Sequence, residues 1–496
     1  MNKNKKLVFA FLGLFAFHMA VSAGMSAVAR STVLASQHNG AGLWNFALDS
    51  FDYHQRAAYL AMLAKTQSVS KLWTVPAASH PFHVKLVGFS YYLFGADPLS
   101  FSPLNAAAWT LSALLVYSLA GIFAGGAGRG AAVAAVVYGL WPSNLMLGSQ
   151  LMKDPFFNLG VLAFTRGYCG LLQGNDRKFN ATLITSGMFL SGMIRKELLG
   201  FLVISALAAI IITAIKDRDS LYAAIIPVVL SLAMIFLPAK IALAEVPSHP
   251  DKNARDEARI EADKEKVARL AGLQRTPELD MLVERWLFKS HYNFPEPLED
   301  KERMVFALAE EHERNLPWML ERLMSRWEEV GFLPLSVSKY VFGACLYRDT
   351  FLTFYLQPKA NCVDTTVVFR SLGDIIRYSP RGFEIAYFAP FPIEWIEKGI
   401  NEKSAVKIAS GVEMIVLYIM YAGFAFQMLG SSSPGRVRIW IVIFLLITIW
   451  PLGMFIPNIG TLYRMRFVYL APVIASGACW WTNTISGIVH GRFTRS

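Results

Sequence analysis

Ionisable side chains are sparse along most of this sequence, and several of them stand where an apolar run stops. Asp49 and Asp52 occur in Leu48-Asp-Ser-Phe-Asp-Tyr-His-Gln, and Asp154 occurs in Leu151-Met-Lys-Asp-Pro. A carboxyl beside an apolar edge tends toward a raised pKa, which suits a general base. A plainer role is open to each acid. Asp52 is placed to cap a helix starting at Tyr53, and Asp154 to cap the apolar run after it. Basic residues gather in two comparable places: Arg195 and Lys196 with Glu197, and Tyr463, Arg464 and Arg466 just after Asn458-Ile-Gly. Arginine forks match phosphate oxygens in pairs, so both clusters suit a phosphate ligand; anchoring to lipid headgroups is the plainer use. Arg166 interrupts another apolar run, and its long stem lets the head group snorkel to the polar edge. No glycine-rich phosphate loop, nucleophile elbow or His-Glu-x-x-His motif is present. Cys169 and Cys479 fall in apolar runs and read as packing residues, and no Cys/His spacing resembles a zinc site. Cys345 and Cys362 both fall in the large segment 241–403, and if that segment lies in an oxidising compartment they could form a disulfide.

The elements that position these groups follow from composition. Of 496 residues, 54% are hydrophobic, 13% aromatic and only 17% charged, and mean hydropathy is +0.39. Soluble domains carry about 25% charge. A helix needs roughly 20 apolar residues to cross a hydrocarbon core of about 30 Å. Ten candidate spans fit: 7–29, 103–123, 131–151, 156–172, 181–194, 198–215, 221–237, 406–429, 439–456 and 467–485. The first reads as an uncleaved anchor because its apolar run outlasts a signal peptide's. The expected fold is therefore an all-α integral membrane protein of about ten transmembrane helices.

Lysine and arginine orient these spans. Lys3, Lys5, Lys6, Arg129, Arg177, Lys178, Lys216, Arg218, Arg436, Arg438, Arg492 and Arg495 all fall on one side if both termini are cytoplasmic. The net charge of +11 thus reports topology, and a nucleic-acid partner is excluded on that ground. Three regions result: a membrane module over 1–240 with seven spans and a first outer loop at 30–102; a mostly helical outer segment over 241–403; and a membrane module over 404–496 with three spans. In the first loop, 53–65 and 83–94 read as helices lying on the membrane surface. In the outer segment, 251–270, 277–289, 301–314 and 317–329 read as helices with solvated charged faces, and 332–356 as an interfacial hairpin or two further spans. Membrane lipids are the expected surroundings.

The order of motifs resembles a known family. Asp52-Tyr-His-Gln-Arg-Ala-Ala-Tyr-Leu-Ala follows the first span, then His80-Pro, Tyr92-Leu-Phe-Gly, Leu140-Trp-Pro-Ser and Lys153-Asp-Pro. Asn458-Ile-Gly-Thr-Leu-Tyr-Arg-Met-Arg and Ala389-Pro-Phe-Pro come late in the chain. This pattern is similar to the GT-C superfamily of integral membrane glycosyltransferases, in its bacterial branch with protein O-mannosyltransferases and lipid A aminoarabinose transferases. The resemblance implies a transferase in the bacterial inner (plasma) membrane. It would pass a sugar from a polyprenyl-phosphate donor to a lipid, glycan or protein acceptor on the periplasmic side. It implies Asp52 as the general base and Asp154 beside it, orienting the acceptor or helping a divalent cation; the metal ligands, if any, are not indicated. Tyr53, His80, Lys85, Lys153, Arg195, Glu197, Tyr463, Arg464 and Arg466 are the implied substrate-binding residues. The chain departs from many relatives in having Tyr53 after Asp52 in place of Glu, and Phe82 after His80-Pro in place of a second Pro. Two other readings remain: an O-antigen-type polymerase or ligase, and a transporter or flippase for lipid-linked sugars. A transporter would show repeat symmetry, and none is visible.

Overall fold

The computed structural model describes residues 3–75, 81–126, 128–216, 220–244, 362–396, 404–430 and 434–493, together with 334, 341, 343–345, 347–348 and 352. His80, the helices expected over 251–329 and most of the expected hairpin at 332–356 lie outside the described residues. The described chain is helical. It holds two isolated bridges, His38 with Trp44 and Cys362 with Asn458, and no longer strand among the described residues. Two compact units divide it: residues 1–239, 390–450 and 463–496, and residues 240–389 with 451–462.

The first unit begins with α1 (Lys3–Val28). Two shorter helices follow, α2 (Asp49–Thr66) and, after a four-residue helix α3 (Lys71–Thr74), α4 (Pro81–Phe94). The expected surface helices are there, but α2 starts four residues early, so both Asp49 and Asp52 stand in its first turn. The two helices α2 and α4 pack against one another instead of lying separately. Tyr53, Leu60 and Ala64 meet Leu72 and Val84, while Ala57 and Ala61 meet Val87 and Tyr91. Arg30 grips Asp97 with both carboxylate oxygens, at 2.7 and 2.8 Å, tying the end of α1 to the turn after α4.

The apolar helices follow: α5 (Ser102–Ala124), α6 (Arg129–Gly139), α7 (Pro142–Gly148), α8 (Asp154–Gln173), α9 (Arg177–Ile194), α10 (Leu199–Lys216) and α11 (Leu221–Ala244). The third expected span is broken. α6 and α7 meet at 57°, because Pro142 supplies no N–H and holds Trp141 extended. α8 and α9 pack with almost no side chain between them. A Cβ on Gly187 would lie 2.5 Å from the Gly160 carbonyl oxygen, so only glycine permits this approach. Arg166 of α8 donates to Ser118 at 2.7 Å and, in the first turn of α9, to Asn180 at 3.2 Å, bridging α5, α8 and α9.

Later in the chain come α12 (Leu372–Phe388), α13 (Pro392–Ile396), α14 (Ser404–Leu429), α15 (Gly435–Phe455), α16 (Ile459–Arg466) and α17 (Ala471–Phe493). Among the described residues, five helices are long and apolar enough to cross a membrane, six if the bent pair counts as one. Ten expected spans are thus supported only in part: α8 and α9 form as helices but do not meet that measure. Ile204, Leu207, Ile211 and Ile215 make an exposed apolar stripe along α10, the surface a lipid-facing helix presents.

The second unit is held by Arg348. This fully buried guanidinium donates to the Met454 and Asp364 carbonyls at 2.9 and 3.0 Å and lies over the rings of Phe369 and Tyr378. Cys345 and Cys362 both belong to this unit and neither is bridged, so the expected disulfide is not formed. The Cys362 sulfur instead faces the Asn458 amide at 4.0 Å.

Candidate functional site

Within the first unit, the segment just before α8 is held by four residues from other parts of the chain. Trp44 N–H donates to the Gln150 side chain at 3.2 Å, and Asn105 of α5 donates to the Gln150 carbonyl at 2.6 Å. His83 of α4 bonds the Leu151 carbonyl at 2.9 Å, and Ser50 of α2 reaches the Met152 sulfur at 3.2 Å. The residues thereby fixed are Lys153 and Asp154, both buried.

Asp154 is the hub. Its Oδ1 accepts from Arg195 Nη2 at 2.9 Å and lies 3.7 Å from Arg464 Nε. Arg464 in turn donates through Nη2 to Asp49 at 3.2 Å. One guanidinium thus stands between an acid of the first loop and the acid that opens α8. Arg195 carries Glu197 at 3.9 Å and lies over the Phe157 ring. Asp154 Oδ2 and Arg195 Nε are buried with no hydrogen-bond partner, an acceptor and a donor left for something else. Tyr53 and His83 stack edge to face at 4.9 Å within reach of the charges of Asp154 and Arg195.

These neighbours set the protonation states. Burial pushes the Asp154 carboxyl up, but Arg464, Arg195 and Lys153 together outweigh it and hold it down at about 2. This reverses the raised pKa expected of an acid at an apolar edge: Asp154 stays ionised and is a poor proton acceptor at neutral pH. Nor is it a helix cap, since α8 has Lys153 at the cap position with no side-chain cap bond. Lys153 is pushed toward its neutral form. Burial, reinforced by the Arg195 charge, lowers it to about 7, near enough to neutrality for its charge to change with conditions. Burial, first, and then the Asp49 charge push the Tyr53 phenol up, so it remains a neutral hydroxyl. Burial lowers His83 to about 4, so its ring is neutral.

The residues singled out from sequence therefore separate. Lys153, Asp154, Arg195, Glu197, Tyr53 and Arg464 are brought together. Asp52 pairs with Arg56 at 2.7 Å on its own helix, and the first-loop acid bonded to Arg464 is Asp49. Lys85 donates to the Trp73 carbonyl at 2.6 Å. Arg466 points away from Arg464 on their short helix. It is fully buried, donates to the Met414 sulfur at 3.2 Å and lies over the Tyr463 ring at 5.2 Å. Tyr463 donates to Glu413, whose other oxygen accepts from the Ser143 N–H at 2.5 Å. Two participants were missed from sequence, Glu413 and His83. Glu413 carries a signal: it is a lone carboxylate in the apolar run 408–429. His83, three residues after His80, has no comparable mark. No group of three or more His, Cys, Asp and Glu side chains placed to hold a metal occurs among the described residues.

No protein-family model matches the chain, and no curated protein or solved structure matches it either. The functional reading thus rests on the site and on the motif resemblance.

Proposed function

We propose that the protein is a membrane glycosyltransferase of GT-C type. It would take a sugar from a polyprenyl-phosphate donor and pass it to a hydroxyl of a lipid, glycan or protein acceptor at the outer membrane surface. The observation that carries this reading is the run Asp49–Arg464–Asp154–Arg195 with Lys153 beside it. It sets an accessible acid next to a buried group of cations. The acceptor oxygen attacks the anomeric carbon as its proton passes to a carboxylate. The bond from that carbon to the phosphate oxygen breaks, and polyprenyl phosphate leaves with the electron pair. Charge grows on the phosphate in the transition state, where Arg195, Arg464 and Lys153 stabilise it. Geometry favours Asp49 over Asp52 as the base. Asp49 is 43% exposed and bonded to the cation that faces Asp154, whereas Asp52 is engaged by Arg56. Asp154, ionised and buried, orients the cations and keeps one oxygen for a ligand hydroxyl.

The same reading includes ten spans, cytoplasmic termini and residence in a bacterial inner membrane, supported by the alternation of basic loops with apolar helices. The test is release of polyprenyl phosphate. Purified protein is reconstituted with a panel of polyprenyl-phosphate sugars and host lipid extract, and products are read by mass spectrometry. Asp49→Asn is expected to cut release by about 10²–10⁴-fold, and Asp52→Asn by much less. The opposite order would return the base to Asp52. A folded wild-type protein that releases nothing from any donor would overturn the transferase reading in favour of a polymerase or transporter.

A further inference from the structure

We infer that Glu413 is a positioning residue that sets the aim of Arg464, through a clamp on the residue before it. α14 is apolar along most of its length, and a carboxylate there is costly unless held by donors. Glu413 is 4% exposed and is held twice. One oxygen accepts from the Ser143 N–H at the start of α7, and the other accepts from the Tyr463 hydroxyl. Trp141 Nε1 donates to that same hydroxyl at 3.3 Å. One side chain thus fastens three pieces of chain: α14, the break between α6 and α7, and the C-terminal turn of α16.

The consequence follows from the spacing on α16. Tyr463 and Arg466, three apart, share one helix face, and both meet α14, through Glu413 and Met414. Arg464, one residue on, is turned about 100° from Tyr463 on a helix of 3.6 residues per turn. That rotation aims it at Asp49 and Asp154. α16 has only eight residues and runs at Arg466 into a 3-10 turn, Phe467–Leu470, that leads straight into α17, so its roll depends on that continuation and on the side chains that anchor it. Beside the buried Arg466, the Glu413–Tyr463 bond is the anchor on this face. Freed from this clamp, α16 can turn, and a few degrees of rotation at the guanidinium's radius is enough to break a bond of 3.2 Å.

The role in catalysis rests on the transferase reading; the positioning itself does not, and the test separates them. The first arm measures the thermal midpoint of detergent-purified protein for the cycle Asp49→Asn, Arg464→Ala and both. The cycle is run in wild type, in Glu413→Ala and in Tyr463→Phe. Coupling between Asp49 and Arg464 is expected in the wild-type background and to vanish in the other two. Coupling of equal size in all backgrounds overturns the inference. The second arm measures donor KM and kcat. Glu413→Ala is expected to impair donor use as Arg464→Ala does, with the double variant no worse than Arg464→Ala alone, and Glu413→Gln is expected to recover part of the loss. Multiplicative defects would mean that Glu413 acts elsewhere, and would overturn the inference. Coupling lost in the first arm with no transfer by wild type would instead retire the transferase reading and leave the clamp standing.

Discussion

Replacing Arg195 by glutamine keeps a planar donor of similar bulk and removes the charge that Asp154 leans on most directly. The pair is buried, with 5% and 8% of the two side chains exposed, and the bond is 2.9 Å. Arg464 Nε, at 3.7 Å, makes no hydrogen bond to Asp154. Removing one partner of such a pair costs about 3–5 kcal/mol, because the other charge is left in a poor solvent. The titration reflects what Arg464, Arg195 and Lys153 do together against burial. Asp154 is held at about 2 against an ordinary 3.8. At roughly 1.36 kcal/mol per pH unit this is ~2–3 kcal/mol of stability. The sign is that of a depressed acid: the contribution is complete above the ordinary pKa and is lost as pH falls toward about 2. Without Arg195, burial, the largest influence on this carboxyl, acts against a weaker opposing charge, and the pKa climbs. The gap between wild type and Arg195→Gln is then widest at neutral pH. It narrows as pH drops through the raised pKa, because protonation relieves the stranded charge. The assay is the thermal midpoint in detergent from pH 4 to 8, by tryptophan fluorescence, for Arg195→Gln, Asp154→Asn and the double variant. The double is expected to be little worse than either single, since each removes the same interaction. A gap that does not change with pH, or losses that simply add, would refute the view that this pair is a coupled buried unit.

Lys153 acts in the same sense but in a higher window: with a folded pKa of about 7 the native state holds fewer protons than the unfolded chain from there up to about 10.4, so its contribution to stability rises with pH across that window. Lys153→Met is expected to raise the thermal midpoint more at pH 6 than at pH 10, and donor KM in wild type to rise above pH 7 with a slope that Lys153→Arg flattens. Gly187→Val forces a side chain into the Gly160 and Phe164 backbone and is expected to cost ~3 kcal/mol or more, whereas Gly200→Ala, with open space around it, is expected to be neutral or stabilising by a few tenths to ~1 kcal/mol; both are read by thermal midpoint, and equal effects would argue against the close α8–α9 contact. Arg348→Met strands two buried carbonyls and is expected to speed amide exchange over 362–389 while leaving exchange in α8 and α9 unchanged.

Much of this architecture was legible because hydrocarbon allows few solutions. Apolar runs such as 198–215 and 406–429 return as helices α10 and α14 with ends moved by no more than about two residues, since a helix satisfies its own backbone wherever it lies. Lys153, Asp154, Arg195 and Arg464 were recognisable as charges at apolar edges, where their desolvation demands partners. Proximity was not legible. Nothing in the sequence tells that Arg464 meets Asp49, 415 positions away, or that it and Arg466 diverge. That depends on how a short helix is rolled, which the Glu413 and Met414 contacts on its other face help to set. The direction of the Asp154 pKa was misread for the same reason: an apolar edge raises a carboxyl only when it stands alone, and three cations converge on this one from three separate segments. The sequence by itself determined the helical membrane-type fold and the inventory of charges, because hydrophobic length and charge sparsity are local properties. Tertiary structure alone decided which first-loop acid faces the cations, which arginine joins them and which groups can hold a proton at neutral pH, because pairing energies depend on distances between segments remote in the chain.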